Sequence, residues 1–382
     1  MEKVFDVHIH YSFDIPMDEM VKIFKEEFEE TGTEKYVFLS LPHHANGNKL
    51  HLSANQNVKG LFLKYAFSPD GYAFAGLIHP QSQISDEDRA TTYYDQAVRY
   101  NSAGYDGIKM LEGHPTLRRS IGIALDSPVY DKFYNYLEQV GMPIIMHVAD
   151  PAESWSLETA SESAKALGRT YAGDFPSKRQ LTDEVFGILK KHPKLKLGLA
   201  HFGFMSYDIE EAERFLSYEN VFFDLTPGGE QLINMSKNWE TWLAFFEKYQ
   251  DRIIYGSDFY AFPKNDRTEW RTAFRRRPDF LRQFFETEGE YLYIDQTFRG
   301  VNIGKDLRNK LYRDNFMGLL GSPKPIDMDY FKSEICKLLK NPPCGKEYYT
   351  KDGVIDISAP ENLKKVTERY KRDLEFMLQN LN

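Results

Sequence analysis

The chain has 382 residues, of which 48 are Lys or Arg and 57 are Asp or Glu, so its formal net charge is −9. A chain with this excess of acid repels a phosphate backbone, and we therefore expect no nucleic-acid partner. Hydrophobic residues make up 42% and charged residues 27% of the chain, which is typical of a globular protein and excludes the disordered and fibrous classes.

The N-terminal sequence and the cysteines indicate in which cellular compartment we expect the protein. The chain enters an apolar run at Val4 without the basic and apolar segments of a secretory leader. No stretch reaches the roughly 18 apolar residues of a membrane helix, so we expect no membrane partner. The spacing of Cys336 and Cys344 fits neither a zinc site nor a redox pair. We therefore predict a cytoplasmic protein with two free thiols.

Short apolar runs alternate with longer segments of helical pattern through most of the chain. This alternation is typical of βα units around a parallel sheet. Eight such repeats predict an α/β fold, a (β/α)8 TIM barrel with a helical extension at its C-terminus. The eight predicted strands are residues 4–8, 36–41, 73–78, 107–111, 143–147, 196–201, 221–225 and 253–257.

Residues 322–382 differ in pattern from the rest of the chain. They are rich in Lys and contain two helix-like segments, 327–340 and 360–381. We therefore predict a barrel domain over residues 1–321 and a helical extension over residues 322–382. The extension is expected to pack on the barrel or on a partner subunit, which would make a homodimer.

Two histidines alternate with apolar residues in the first predicted strand. His8 and His10 are two residues apart, so the period of a strand points both imidazoles to the same side. We expect that side to be the barrel mouth, where two imidazoles could bind one metal ion. The alternative is a pair of strand histidines held by ordinary hydrogen bonds.

Three more polar residues close predicted strands. His147, His201 and Asp258 each follow a run of apolar residues. In TIM barrels the carboxyl ends of the strands carry the catalytic groups. Imidazole and carboxylate suit Zn²⁺ and its neighbours, and ligands from several strand ends leave an open position for water. The pattern therefore predicts a catalytic rather than a structural metal site.

These residues belong to a series of motifs that resembles the amidohydrolase superfamily. The similar branch is the amidohydrolase-related one, which contains lactone and amide hydrolases and aminocarboxymuconate-semialdehyde decarboxylase. The resemblance covers residues 1–321 and lies in the order of the motifs as well as in their residues. The motifs are Asp6-Val7-His8-Ile9-His10, Gly107-Ile108-Lys109, His147, Ala200-His201-Phe202-Gly203, Tyr255-Gly256-Ser257-Asp258 and Leu311-Tyr312-Arg313-Asp314-Asn315-Phe316.

The resemblance implies a ligand set and two catalytic roles. It makes His8, His10, His147 and Asp258 the ligands of one divalent ion per chain, with Zn²⁺ expected and Mn²⁺ as the alternative. His201 would stand beside the bound water or the substrate oxygen without ligating the ion. Asp258 would also take a proton from the water and later deliver it to the leaving group.

Lys109 admits two interpretations under the same resemblance. Binuclear members of the superfamily carry a carboxylated lysine as a bridge at this strand, whereas mononuclear members leave the lysine free. A free Lys109 would bind a carboxylate of the substrate. Glu112, three residues later, is a second candidate for contact with substrate, and a solvated loop acid is its alternative.

Four further residues are candidates for the substrate pocket. Arg118 and Arg119 would bind a carboxylate through their guanidinium groups, with a solvated or salt-bridged pair as the alternative. His79 and Tyr260 also follow predicted strands. An acidic small molecule is therefore the expected substrate.

Two other basic features are expected to lie on the surface. His192 stands at the end of a predicted helix, where a cation interacts favourably with the helix dipole. The run Arg275-Arg276-Arg277 is typical of a solvated helix face.

Together these features predict a metal-dependent hydrolase that attacks a small carboxylate-bearing amide, ester or lactone with metal-bound hydroxide. Non-oxidative decarboxylation of an aromatic or muconate-type acid is the alternative, because the same ion would bind the substrate's carboxylate. A third hypothesis, from a different class, is an inactive metal-stabilised barrel that serves as a binding or scaffold protein.

Overall fold

The computed structural model describes residues 1–11, 15–41, 49–80, 84–166, 168–227, 231–260, 267–293, 296–342, 347–350, 353–356 and 358–381. The chain divides into two compact units. The first unit comprises Met1–Lys109, Phe259–Arg275 and Ser322–Asn382, and the second comprises Met110–Asp258 and Arg276–Gly321.

Nine parallel strands form the main sheet, in the order β8-β7-β6-β5-β4-β3-β2-β1-β9. Successive strands are neighbours from β1 to β8, as in a (β/α)8 barrel, so the predicted TIM-barrel fold is confirmed. The strands are β1 (Val4–His10), β2 (Thr33–Leu39), β3 (Gly71–Gly76), β4 (Gly107–Gly113), β5 (Ile144–Val148), β6 (Leu197–Leu199), β7 (Val221–Asp224), β8 (Ile253–Ile254) and β9 (Phe259–Tyr260).

Each predicted strand overlaps an observed one, because continuous apolar runs are typical of strands buried on both faces. The eighth is shorter than predicted. β8 pairs with β7, and the sequence did not predict β9, which begins five residues after the end of β8 and pairs with β1. Asp258, between β8 and β9, has the left-handed φ of 53°. This conformation is incompatible with a continuous strand.

Helices follow most strands, and the chain passes between the two units within β4 and within α11. Among the described residues, none of the helices is long and apolar enough to cross a membrane. The helices are α1 (Met17–Thr31), α2 (Lys49–Ala66), α3 (Asp86–Ala103), α4 (Pro115–Ile121), α5 (Asp131–Val140), α6 (Glu162–Ala166), α7 (Lys178–Lys191), α8 (Ile209–Leu216), α9 (Gln231–Lys237), α10 (Trp239–Lys248), α11 (Arg267–Glu286), α12 (Lys305–Asn309), α13 (Asn315–Leu320), α14 (Met328–Lys340) and α15 (Pro360–Gln379).

Two antiparallel hairpins lie outside the main sheet, and the sequence analysis predicted neither. One is β10 (Glu288–Tyr293) with β11 (Gln296–Val301), and the other is β12 (Glu347–Thr350) with β13 (Gly353–Asp356). The second hairpin lies between the two helices that were predicted for residues 322–382. Those two helices are present, as α14 and α15.

The core of the first unit is built around an aromatic face of α1. Phe24 and Phe28 are four residues apart, on one stripe of the helix, and their rings stack with centroids 5.1 Å apart. The Phe28 ring also lies 5.4 Å from that of Phe259 in β9, and the Phe24 ring 5.6 Å from that of Phe38 in β2. These contacts anchor the strands that flank β1.

The helical C-terminal region packs within the first unit. Helix α14 packs on α2 and α3, and α15 packs on α1 and α14. Lys59 of α2 forms a buried ion pair with Asp373 of α15, with Nζ and Oδ2 2.8 Å apart. Cys336 in α14 is a free thiol, whereas Cys344 lies outside the described residues. The boundary at residue 321 and the homodimer remain predictions.

Two basic features were expected on the surface, and His192 and Arg275 depart from this expectation, whereas Arg276 is exposed as expected. His192 is only 3% exposed, and its ring lies 5.5 Å from that of Tyr134 in α5. The pKa of His192 is lowered because burial disfavours its charged form. Arg275 pairs with Glu27, which is fully buried, at 2.9 Å. Packing against α5 and α1, which the dipole and charge-run arguments did not consider, accounts for both differences.

Candidate functional site

In the first unit, His8, His10 and Lys109 form what we call the strand-one cluster. The three side chains are 0%, 6% and 1% exposed. The two imidazoles point to one side of β1, as the strand period predicts, with their Nε2 atoms 3.1 Å apart. Lys109 Nζ, from β4, lies 3.4 Å from His8 Nε2. The cluster therefore combines two buried imidazoles with a buried lysine side chain.

The hydrogen bond of His10 assigns its tautomer. Its Nδ1 lies 3.1 Å from the carbonyl oxygen of Leu39 in β2. A carbonyl only accepts, so Nδ1 carries a proton, and in the neutral imidazole the lone pair is on Nε2, which faces His8. Two nitrogens bound to a tetrahedral ion at about 2.0–2.1 Å stand about 3.3–3.4 Å apart, close to the observed separation. The imidazole pair thus fits a divalent metal ion.

Tyr260 and His79, two pocket candidates, also lie in the first unit. β9 pairs Tyr260 with His10, and the two rings are 5.8 Å apart, so Tyr260 lies beside the imidazole pair. His79 is 2% exposed, and its Nδ1 lies 2.8 Å from the hydroxyl of Tyr93 in α3. This contact gives His79 a structural partner.

In the second unit, His114, His147, Asp150 and Tyr171 form what we call the β5 cluster. Asp150 is 3% exposed. Its Oδ1 lies 3.4 Å from His147 Nε2, and its Oδ2 lies 3.4 Å from His114 Nε2. Oδ2 also accepts a hydrogen bond from the Tyr171 hydroxyl. One carboxylate therefore lies between two imidazoles.

The charge of Asp150 follows from these neighbours. Burial raises the pKa of this carboxyl, but His147, His114 and Tyr171 outweigh burial and lower the pKa to about 2. Asp150 is therefore a carboxylate at neutral pH, and it acts only as a hydrogen-bond acceptor.

His201 extends the β5 cluster from the end of β6. Its ring centroid lies 4.8 Å from that of His147, and it stacks on Phe204. His201 has the left-handed φ of 56°, and its N–H donates to Asp224 Oδ1 at 2.7 Å. Such a conformation costs a non-glycine residue about 1–2 kcal/mol. Strain of this kind is common at functional sites.

Asp258 also lies in the second unit and contacts an arginine of α11. Arg277 donates hydrogen bonds both to the carboxylate and to the carbonyl oxygen of Asp258. The expectation that Arg277 belongs to a solvated face is therefore wrong. Phe259, the next residue after Asp258, pairs with Ile9 of β1.

The remaining predicted pocket residues differ in their surroundings. Arg118 forms a bidentate pair with Glu184, with both N–O distances 2.9 Å, which is the salt-bridged alternative. The Arg119 guanidinium lies 4.4 Å from the centroid of the Phe175 ring. Glu112 is 1% exposed, so the alternative of a solvated loop acid is wrong. It lies in β4.

Sequence reasoning missed Asp150, Tyr171 and Arg277. Asp150 had a weak local signal, because it follows a strand-ending histidine by three residues. Side chains three residues apart in a regular strand point to opposite faces, so strand periodicity alone does not bring Asp150 to His147. Tyr171 and Arg277 are distant in sequence from the residues that they contact.

Comparison with known proteins supports the fold and the family. A family model described as amidohydrolase matches residues 75–316, which is more than half of the chain. That match begins after His8 and His10, so it does not bear on the strand-one pair. No curated protein matches the chain.

Several solved structures are similar in fold. One is 2,6-dihydroxybenzoate decarboxylase complexed with 2,6-dihydroxybenzoate, with a TM-score of 0.52 and 16% identity over 84% of this chain and 99% of that one. A second is 2,6-dihydroxybenzoate decarboxylase from Rhizobium, with a TM-score of 0.51 and 15% identity over 84% and 99%. A third is 4-oxalomesaconate hydratase from Rhodopseudomonas palustris, with a TM-score of 0.50 and 16% identity over 83% and 95%.

At these identities the likeness is one of fold, whereas the family model covers the strands and motifs of most of the chain. The family match agrees with the resemblance read from the sequence. The chain belongs to the amidohydrolase superfamily.

Proposed function

We propose that the chain is a metal-dependent hydrolase of a small carboxylate-bearing amide, ester or lactone. The observation that supports it most directly is the buried imidazole pair of His8 and His10 with the Lys109 ammonium beside it. Paired imidazoles with a lone pair directed between them suit a divalent ion. Membership in the amidohydrolase superfamily supports metal-dependent catalysis.

The ligands in this proposal are His8, His10, His147 and Asp258, as the motifs imply. They would hold one ion per chain, with Zn²⁺ as the expected ion and Mn²⁺ as the alternative. When bound, such an ion lowers the pKa of water to about 7 and polarises a carbonyl oxygen. Three nitrogen donors and one carboxylate match the preference of zinc for mixed ligands.

The chain's own residues supply proton transfer and charge stabilisation. Asp258 accepts the proton of the attacking water and returns it to the leaving group. Arg277 orients Asp258 through one hydrogen bond to its carboxylate and one to its backbone carbonyl oxygen. His201 donates a hydrogen bond to the substrate's carbonyl oxygen as negative charge develops there. Each role requires a group that is held in place before the substrate arrives.

Lys109 and Tyr260 bind the substrate in this proposal. A buried ammonium is stabilised by an anion nearby, so Lys109 is suited to a substrate carboxylate. Tyr260 lies beside His10 and offers a hydroxyl and an aromatic face. An acidic substrate is therefore preferred over a neutral one.

The test combines metal analysis with a substrate panel. The protein is stripped with a chelator, reconstituted with Zn²⁺ or Mn²⁺, and assayed on lactones, amides and esters with and without a carboxylate. We expect one equivalent of metal and hydrolysis that depends on it. Asp258→Asn should abolish turnover, whereas the control Asp251→Asn, at a side chain that is 73% exposed, should not. Full activity of Asp258→Asn would contradict the proposal.

Non-oxidative decarboxylation is the second candidate. The fold likeness to two decarboxylase structures is the reason to test it, and a buried lysine beside two imidazoles suits a carboxylate substrate here as well. Hydroxybenzoic and muconate-type acids are added to the same panel, with CO₂ as the readout. Release of CO₂ without hydrolysis would replace the first proposal. Metal uptake without hydrolysis or release of CO₂ would instead favour the scaffold hypothesis.

A further inference from the structure

The carboxylate of Asp150 contacts two imidazoles of the second unit. Its two oxygens face His147 Nε2 and His114 Nε2, each at 3.4 Å, and Tyr171 donates to one of them. None of the motifs that suggested the metal site includes Asp150. The geometry therefore adds a residue to the machinery that the sequence motifs imply.

The contacts of the two histidines assign their protons. His114 Nδ1 accepts a hydrogen bond from the backbone N–H of Thr116 at 3.3 Å, so its proton is on Nε2, which faces Asp150. His147 also faces the carboxylate with Nε2. His147 Nε2 makes no well-aligned hydrogen bond at this distance, but the negative charge of Asp150 favours a proton on the ring nitrogen nearest to it. We therefore expect a neutral His147 to carry its proton on Nε2 and its lone pair on Nδ1.

We infer that Asp150 is a positioning residue that fixes the tautomer and ring orientation of His147, so that Nδ1 is the nitrogen available to a metal ion. The inference rests on the proposed function, in which His147 is a ligand. Metal-binding histidines commonly donate their other N–H to a carboxylate, which orients the ring and makes the binding nitrogen more basic. Asp150 acts through His147 and does not itself touch the substrate.

The backbone between the two residues is shaped for this contact. Ala149 has the left-handed φ of 64°, and its N–H donates to the carbonyl oxygen of Gly113 at 2.9 Å. This turn ends β5 and brings the Asp150 carboxylate back to His147, three residues earlier in the chain. In a continuing strand the two side chains would lie on opposite faces. A strained residue persists where its surroundings hold it.

Lys178 of α7 also contacts the backbone of this turn. Lys178 Nζ donates to the carbonyl oxygens of Asp150, at 3.3 Å, and of Phe204, at 2.7 Å. It therefore ties the segment after β5 to the segment that carries His201. The Asp150 backbone is held by these contacts as well as by the Ala149 turn.

The first experiment measures Zn²⁺ affinity by competition with a chromogenic chelator, without any substrate. Asp150→Asn keeps the size of the side chain but removes its charge, and we expect the Kd for Zn²⁺ to rise about 10–100-fold. The control is Asp174→Asn, at an exposed position in the segment between β5 and α7, which should bind as the wild type does. Equal Zn²⁺ affinity of the two variants would overturn the inference.

The second experiment needs no metal and no variant at Asp150. Long-range ¹H–¹⁵N correlation spectra of the metal-free protein, labelled with ¹⁵N-histidine, report which ring nitrogen is protonated, and His147→Gln assigns the signal. We expect the Nε2–H tautomer for His147 in the wild type. An Nδ1–H tautomer would refute the role of Asp150 even if Asp150→Asn does not fold.

The two measurements separate this inference from the proposed function. If His147→Gln leaves Zn²⁺ binding unchanged, the proposed ligand set is wrong, while the spectrum still decides whether Asp150 fixes the tautomer. If His147→Gln abolishes binding but Asp150→Asn does not weaken it, the ligand set stands and the positioning role is wrong.

Discussion

The strand-one cluster and the β5 cluster both bring histidines together, but by different means. His8 and His10 meet because they are two residues apart on one strand, and their Nε2 atoms are 3.1 Å apart. His147 and His114 come from different segments and each contacts Asp150 at 3.4 Å. The first arrangement follows from local periodicity, whereas the second requires a left-handed turn at Ala149.

The two clusters also differ in what orients their imidazoles. The Nδ1 proton of His10 is directed at the backbone carbonyl of Leu39, which no side-chain substitution removes. Nε2 of His147 instead faces the Asp150 side chain, which one substitution removes. We therefore expect metal binding to depend on the histidines themselves in the strand-one cluster. In the β5 cluster we expect it to depend also on the neighbouring side chains that orient the histidines.

The largest effect is expected from removing an imidazole of the strand-one cluster. His8→Ala should weaken Zn²⁺ binding and lower kcat/KM by more than about 100-fold, because loss of an outer partner alone costs about 10–100-fold. His114→Ala, in the β5 cluster, should have a smaller effect. Chelator competition and steady-state kinetics measure both, with circular dichroism as the check on folding. Full activity of His8→Ala would contradict the ligand assignment.

A smaller effect is expected at Lys109, which gives the strand-one cluster its positive charge. Lys109→Met should raise KM for a carboxylate-bearing substrate by roughly 10–100-fold, because a hydrogen bond to a charged group contributes about 1.5–3 kcal/mol. KM for a neutral analogue should not change.

Metal analysis with and without bicarbonate distinguishes the two states of Lys109. One equivalent under both conditions is expected for a free lysine. Two equivalents that depend on bicarbonate would mean that Lys109 is carboxylated and bridges two ions, and this would refute the substrate-binding role.

Gly113→Ala tests how closely β4 approaches the β5 cluster. A Cβ at this position would lie 2.4 Å from the His147 carbonyl oxygen and 3.0 Å from Val148 Cα, and both neighbours are backbone atoms. We expect destabilisation by about 1–3 kcal/mol, measured by urea denaturation. Gly318→Ala in α13, where nothing lies within 4 Å, is the control and should stabilise by about 0.5–1 kcal/mol. Equal stability of the two variants would argue against this packing.

The smallest effect is expected at Ala149. Glycine relieves a left-handed conformation that costs alanine about 1–2 kcal/mol, but it loses about 0.5–1 kcal/mol through its greater freedom in the unfolded chain. Ala149→Gly should therefore be stabilised by up to about 1.5 kcal/mol in the same denaturation experiment. A clear destabilisation would mean that the turn before Asp150 is not left-handed.

The sequence by itself determined the βα alternation, the shared side of His8 and His10, and the polar residues that end β5, β6 and the eighth strand. These features follow from strand periodicity and from the common direction of parallel strands, which are local rules. The motif order also indicated the family. Their chemical roles at the site remain proposals.

Only the tertiary structure decided which side chains support these residues. Asp150 reaches His147 because Ala149 adopts a positive φ. Arg277, which contacts Asp258 from α11, lies 19 residues later in the chain. His192 is buried against α5. Neither backbone strain nor packing between distant segments has a period in the sequence. That is the physical reason why the residues expected at the strand ends could be predicted and the residues that orient them could not.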